Sequence, residues 1–357
     1  MSGSSRFGFT DWDVADRPQV LIWEATRACM LACRHCRASA MRRPAPDELN
    51  GEEALRLLDQ VAAIHPAIFV ITGGDPLERP DLFELMAHGR SVGLRVSLAP
   101  SVTPRLDRAA MARLPEVGCA GLQLSLDGAD AATHDRFRGQ PGTFVRTLEA
   151  ARWAREEGVP LTVATTVARH NQGQLPALAE LVSTLGIVRW SLFFLVPTGR
   201  ARPQEMVSPD EAERVLLWVE ELAGRVPFIC KTTEAPQIRR LLSGHGKAPR
   251  TGSNIADGRG FLFVANNGDI CPSGFLPLPA GNCRHDDILE VYRTHELFRA
   301  LRDPQALRGT RCARCEYRTV CGGSRSRAFS ATGDPLGDDP LCAYEPAAHS
   351  ARSESTC

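Results

Sequence analysis

Six short apolar, β-branched runs separated by longer amphipathic stretches constrain the fold of this chain more than any other feature. The runs fall at residues 20–23, 68–72, 94–99, 121–126, 161–167 and 190–196, and helical patterns lie between them near 51–64, 81–92, 105–114, 143–157 and 174–185. Such alternation predicts βαβ units and a parallel sheet, and six units fall short of the eight that close a full barrel. Ligands of parallel α/β sheets sit beyond the carboxyl ends of the strands, so chemistry is expected in the loops that follow them. The first of those loops carries Cys29, Cys33 and Cys36.

A further helix is predicted near 208–223, after which the character changes. Residues 227–260 are rich in Gly, Pro and basic side chains and read as a boundary segment between a barrel at 18–226 and a smaller unit at 261–347. Within that unit, 261–271 alternates around Asn267-Gly268, the dipeptide of two-residue hairpin turns, and a helix is expected at 287–301. Residues 312–342 lack periodicity and read as a loop wrapped around whatever their cysteines bind.

Lys+Arg and Asp+Glu both number 42 among 357 residues, so no global basic field exists to recruit nucleic acid or an anionic membrane. The apolar runs are far too short to span a bilayer, and residues 1–17 show no signal-peptide pattern. A soluble, cytoplasmic protein with 43% hydrophobic residues and a sizeable core is the expectation.

Twelve cysteines are many for such a chain, and their clustering speaks for metal ligation over disulfides. Cys29-x3-Cys33-x2-Cys36 supplies three thiolates on one loop, whereas a closed zinc or [4Fe–4S] site takes four protein ligands. Three thiolates on a cluster leave one iron open to a small molecule; a zinc site completed by His35 or a distant residue is the competing reading. Cys312-x2-Cys315-x5-Cys321 with Cys342 offers four thiolates, enough for a fully ligated cluster or a tetrahedral zinc. Cys271 and Cys283 are an incomplete site or ordinary thiols, and no function is assigned to Cys119, Cys230 or Cys357.

The first spacing, placed after the first strand of a βαβ series, resembles the radical S-adenosylmethionine (SAM) superfamily, in which SAM chelates the open iron. Other positions carry the same resemblance. Thr72-Gly73-Gly74-Asp75-Pro76 sits where the family has a Gly-Gly-Glu-Pro turn for the SAM amino group, with Asp75 in place of Glu. Ser125-Leu126-Asp127-Gly128 matches the segment near the SAM ribose and carboxylate, implying roles for Ser125 and Asp127. His35 occupies the position expected against the adenine, and Leu195 and Val196 end the strand that contacts it. The resemblance implies a partial (β/α)6 radical SAM barrel, a [4Fe–4S] cluster on Cys29, Cys33 and Cys36, and reductive cleavage of SAM to a 5′-deoxyadenosyl radical. That radical takes hydrogen from a second substrate, and a flavodoxin- or ferredoxin-type donor is implied as reductant.

The C-terminal cysteines resemble the SPASM or twitch extension of these enzymes, implying a small cysteine-rich domain with one auxiliary [4Fe–4S] cluster on Cys312, Cys315, Cys321 and Cys342. Arg325 stands where a further core cysteine of that extension would fall. The stretches 231–240, 272–282 and 321–327 resemble the haem-synthesis branch, which removes carboxylates from porphyrin propionates. Arginine forks suit carboxylates, so Arg239, Arg240, Arg325 and Arg327 are candidate substrate ligands, with Lys231 and Glu234 lining the site and Glu234 a candidate proton carrier. A maturase of ribosomal peptides is the second enzyme reading, and a non-catalytic metal-binding or electron-transfer module is the reading from another class.

Overall fold

The computed structural model describes residues 13–243, 246 and 255–346, so Cys357, residue 347 and most of 244–254 lie outside the described residues. Strands β1 (Val20–Glu24), β2 (Ile68–Thr72), β3 (Val96–Leu98), β4 (Gly121–Ser125), β5 (Leu161–Val167), β6 (Arg189–Phe194), β7 (Ile229–Thr233), β8 (Phe261–Val264), β9 (Asp269–Cys271) and β10 (Gly281–Asn282) form one sheet. Their order is β10-β9-β8-β1-β2-β3-β4-β5-β6-β7. β1 to β7 are parallel in sequence order, and β8 lies parallel on the far side of β1. β9 and β10 add antiparallel. The sheet ends at β7 and β10 without closing, which makes it the partial barrel that the sixfold alternation predicts, lengthened by β7 on one flank and by β8, β9 and β10 on the other.

Helices α1 (Gly51–Ile64), α2 (Leu82–Ser91), α3 (Arg108–Glu116), α4 (Ala131–Arg138), α5 (Thr143–Glu156), α6 (Leu175–Thr184) and α7 (Pro209–Ala223) lie between successive strands. Side chains alternate across a strand, and here the alternation separates a packed outer face from a polar inner one. Leu21, Trp23, Phe69, Ile71, Leu122, Leu124, Val163, Trp190 and Leu192 pack with Leu57, Met86, Met111, Ala150, Leu178 and Leu216 of the helices. Each large buried side chain contributes about 1.5–3 kcal/mol. Facing inward are Thr72, Ser97, Gln123, Thr162 and Ser191, which line a lumen. Asn50 with Glu53 and Ser208 with Glu211 form capping boxes that fix the starts of α1 and α7.

Five expectations need adjustment. The boundary segment 227–260 supplies β7 and α8 (Gln237–Ser243), because residues 229–233 pair in parallel with β6 and extend its ladder. The β8–β9 hairpin belongs to the barrel's own sheet through its pairing with β1. Its loop has three residues, Asn266 to Gly268, since Ala265 pairs with Asp269 and Gly268 N–H closes a turn on Ala265 O at φ +87°. The helix expected at 287–301 is split at His295 into α9 (Ile288–Thr294) and α10 (Glu296–Arg302); its extended backbone ends one helix, and its ring accepts from Leu297 N–H to cap the next. Finally, the supposed loop 312–342 contains α11 (Arg325–Thr332), capped by Ser324 and by Gly333 at φ +78°.

Candidate active site

The loop after β1 is tied into a fixed shape by its own backbone. Ala25 N–H donates to Thr72 O (2.8 Å), Cys29 N–H to Met41 O (2.7 Å) and Met41 N–H to Arg27 O (2.8 Å). Cys29 and Cys33 are thereby buried and Cys36 half-buried. Each sulfur faces a donor: Leu31 N–H lies 3.3 Å from Cys29 Sγ, Ala40 N–H 3.4 Å from Cys36 Sγ, and Arg138 Nη1 3.9 Å from Cys33 Sγ. Burial pushes the Cys29 and Cys33 thiols up, while Arg138 opposes this at Cys33. Thiols so placed give up their protons readily only to a metal.

Gly73 and Gly74 are required by the approach of that loop. A Cβ on Gly73 would stand 2.5 Å from Thr26 O, and one on Gly74 2.4 Å from Ala28 O. Gly74 N–H and Asp75 N–H donate to those carbonyls, both at 2.7 Å, so the two amides are spent on the cysteine loop. Asp75 is fully buried, and its carboxyl accepts from Thr103 Oγ1 (2.7 Å) and Leu77 N–H (3.2 Å), with burial raising it to about 6. Its side chain is therefore committed to the turn, away from the cavity that Thr72, Gly73 and Gly74 line.

Asp127 also stands behind the cavity wall. It is fully buried, accepts from Thr166 N–H (2.7 Å) and pairs with Arg138 at 2.5 Å. Burial works to raise its carboxyl, and Arg138, His35, His134 and the Thr166 N–H together outweigh that and hold it below the usual range. Ser125, two residues earlier, lines the cavity itself. His35 lines it too, with one face stacked on Phe137 at 3.8 Å and 3°. Burial and Arg138 lower His35 to about 3, so the ring is neutral, and its buried Nδ1 has no hydrogen-bond partner. Leu195 and Val196 complete the wall. Beyond them Gly199, at φ +65°, lets the chain pass against Cys36 O and Arg37 O, and Arg200 donates to Cys33 O (2.9 Å) and Ala40 O (3.2 Å).

These residues enclose about 220 Å³ beside three thiols. The donor set fits an iron–sulfur cluster with an open iron: three convergent sulfurs with N–H donors aimed at them, a backbone cradle that a Cβ would fill, and an unpartnered ring nitrogen. Among the described residues, no three His, Cys, Asp or Glu side chains gather closely enough for a single metal ion. A cluster asks for something different, since each thiolate binds its own iron. Arg138, Phe137, His134, Ser101 and Arg200 are functional neighbours that the sequence reading missed. Three of them ride on α4, whose sequence has no apolar stripe. Its ends were legible: Asp130 caps Thr133 N–H and Gly139 takes φ +68°.

Below the cysteine cavity, and sharing Arg37, Thr72, Ala99, Gln123, Phe193 and Phe275 with it, the lumen encloses about 520 Å³. Its basic lining is Arg37, Arg95, Arg189, Lys231, Arg239 and Arg325, against Glu234 and Asp257. Of the four arginines put forward from sequence, Arg239 and Arg325 reach this lining. Arg325 is occupied with the carbonyls of Pro335 (3.0 Å) and Gly337 (2.8 Å). Arg240 lies outside it, paired with Glu213 and over the Tyr344 ring. Arg327 is fully buried against Asp339 (3.0 Å) and donates to Glu234 O, so it braces the wall and cannot reach a ligand. Glu234 takes φ +56°, a left-handed conformation that is strained for this residue. Burial and the neighbouring Asp257 raise its carboxyl to about 8.

Cys312, Cys315, Cys321 and Cys342 lie close enough for charge on one to be felt by the next. The Asp338 carboxylate gathers the N–H groups of Thr310, Arg311 and Cys312 at 2.7–3.2 Å and fixes the loop. Arg325 Nη2 stands 4.0 Å from Cys312 Sγ, and Arg239 donates to Cys321 O (3.4 Å). Cys271 and Cys283 are buried apart: Cys271 faces the Asp269, Arg37 and Glu24 charges, and Cys283 packs into the main core.

Residues 23–182 match the Radical SAM superfamily. An AdoMet-dependent heme synthase of Methanosarcina barkeri is 39% identical over 349 residues, covering 93% of this chain and 98% of that one. A PqqA peptide cyclase of Rhodopseudomonas palustris is 29% identical over 350 residues, 92% of this chain and 88% of its own. The crystal structure of Streptococcus suis SuiB bound to S-adenosylmethionine shares the fold with a TM-score of 0.74 over 92% of this chain and 78% of that one, at 16% identity. The chain belongs to the radical SAM superfamily. It is an enzyme of that class, using a [4Fe–4S] cluster and SAM on a small-molecule or peptide substrate, which sets aside the non-catalytic module. No described helix is long and apolar enough to cross a membrane.

Proposed function

We propose that this enzyme decarboxylates propionate side chains of an iron-porphyrin in haem synthesis, starting with hydrogen abstraction beside the carboxylate. When bound, SAM and the cluster supply the abstracting 5′-deoxyadenosyl radical, and an auxiliary cluster supplies an acceptor for the electron left on the substrate. Cys29, Cys33 and Cys36 would hold the first cluster, and Cys312, Cys315, Cys321 and Cys342 the auxiliary one. Thr72, Gly73, Gly74 and Ser125 would position SAM, with His35, Leu195 and Val196 against its adenine, while Asp75 and Asp127 act from behind the wall. A flavodoxin- or ferredoxin-type protein would deliver the electron, in the cytoplasm.

The observation that carries this reading is the lumen: about 520 Å³ directly under the cysteine cavity, with a basic lining suited to a ligand bearing several carboxylates. Burial and the neighbouring Asp257 favour the protonated form of Glu234, which lessens the negative charge on that lining. Identity of 39% to a heme synthase, against 29% to a peptide cyclase, favours the porphyrin over a peptide. The test is release of CO2 and formation of 5′-deoxyadenosine on addition of iron coproporphyrin III to reconstituted, reduced enzyme. The reading fails if no porphyrin, metallated or free, raises either product; a response to a ribosomal peptide would establish the second reading instead.

A further inference from the structure

The floor of the lumen holds a charge arrangement that the cysteine site does not use. Trp190, Leu192 and Phe194 point out of β6 into the core, which leaves Arg189, Ser191 and Phe193 facing in. On β7 the buried Cys230 faces the core and Lys231 faces in. The register pairs Ser191 with Lys231, so Arg189 and Lys231 approach each other on adjacent strands. Lys231 lies level with Ser191, four residues below Leu195, which at about 3.3 Å per residue is ~13 Å beneath the adenine-side wall. Among the described residues no carboxylate lies within 4.0 Å of its ammonium, and burial with the nearby Arg189 charge lowers Lys231 to about 8. A desolvated ammonium without a counter-charge is costly, and an arriving anion relieves that cost.

We propose that Lys231, with Arg189 beside it, anchors a non-reacting carboxylate of the substrate at the end of the lumen away from the cysteine cavity, so that another carboxylate-bearing arm is presented to the cysteine end. This rests on the porphyrin reading and adds to it a specificity rule: the lumen selects molecules with carboxylates at opposite ends. Arg239 and Arg325, near the auxiliary cysteines, are not part of this anchor. Lys231 is a positioning residue, since it lies too far from the cysteine cavity to touch the reacting atoms.

The experiment is an absorbance titration of reconstituted enzyme with iron coproporphyrin III and with its fully esterified form, using wild type, Lys231→Met and Lys231→Arg. Iron content and SAM affinity report whether each variant is folded. Truncating one partner of a buried charge pair lowers affinity by roughly 30-fold or more, so Lys231→Met should lose at least that for the tetra-acid, and Lys231→Arg should recover most of it. The ester should bind weakly and equally to wild type and Lys231→Met, an outcome that a merely structural role for Lys231 would not produce. Unchanged affinity of Lys231→Met for the tetra-acid overturns the anchor while leaving the porphyrin reading intact. A wild type that binds neither porphyrin overturns both.

Discussion

Arg138 is the residue on which the charge logic of the cysteine loop turns. It is half-buried, paired with Asp127 at 2.5 Å, and reaches within 3.9 Å of Cys33 Sγ. Removing Asp127 would strand that guanidinium without its partner, which typically costs about 3–5 kcal/mol. Asp127→Ala should lower the urea midpoint accordingly and reduce iron retention at the loop; an unchanged midpoint would mean that the pair is dispensable. Glu234 yields a pH prediction with a definite sign. Its folded value of about 8 exceeds the usual 4.5, so between those limits the folded chain holds a proton that the unfolded chain has lost. Stability through this group is therefore full below about pH 4.5 and declines as pH rises to about 8. Glu234→Gln should flatten that part of the stability profile, and a slope identical to wild type would show that the group titrates normally.

At the level of elements, the active end is assembled by backbone contact between loops, and glycines set how closely those loops approach. Gly74→Ala would drive a Cβ to 2.4 Å from Ala28 O and 2.7 Å from Arg27 O, both immobile backbone atoms. Overpacking of this kind costs roughly 1–3 kcal/mol, and iron bound at the loop should fall with it; full iron loading in Gly74→Ala would contradict the contact. This is also where the sequence was easiest and hardest to read. Strands β1 to β6 and their amphipathic helices were legible because their outer faces are apolar at the right period. The helices α4 and α11 were not, because RSRAFSAT and AATHDRFR bury charged side chains in ion pairs and carbonyl contacts and show no apolar stripe. Only their caps, Asp130 with Gly139 and Ser324 with Gly333, mark them. The Cys29, Cys33, Cys36 spacing, the Gly-Gly turn and Ser125 were visible as motifs. That Asp75, Asp127 and Arg327 face away from ligand space was not, since a motif names a residue without its direction. β7 was hidden for another reason: its inward face carries Lys231, a polar choice for a strand that only the lumen explains.

On the scale of the whole molecule, one sheet carries the cavity of Cys29, Cys33 and Cys36 at the carboxyl ends of its strands and a basic lumen beneath it. Replacing Cys312, Cys315, Cys321 and Cys342 with Ser should halve the bound iron and leave the first cluster's spectrum; iron equal to wild type would refute an auxiliary cluster there. The central claim is that radical chemistry starting at Cys29, Cys33 and Cys36 is directed to a porphyrin carboxylate in that lumen. Its most direct test is mass spectrometry of 5′-deoxyadenosine and decarboxylated porphyrin from anaerobically reconstituted enzyme given SAM, dithionite and iron coproporphyrin III, beside the Cys29→Ala, Cys33→Ala, Cys36→Ala triple variant. Both products from the wild type and neither from the variant is the predicted result. A fully iron-loaded wild type that forms 5′-deoxyadenosine at the same rate with and without the porphyrin, and leaves the porphyrin intact, would contradict it.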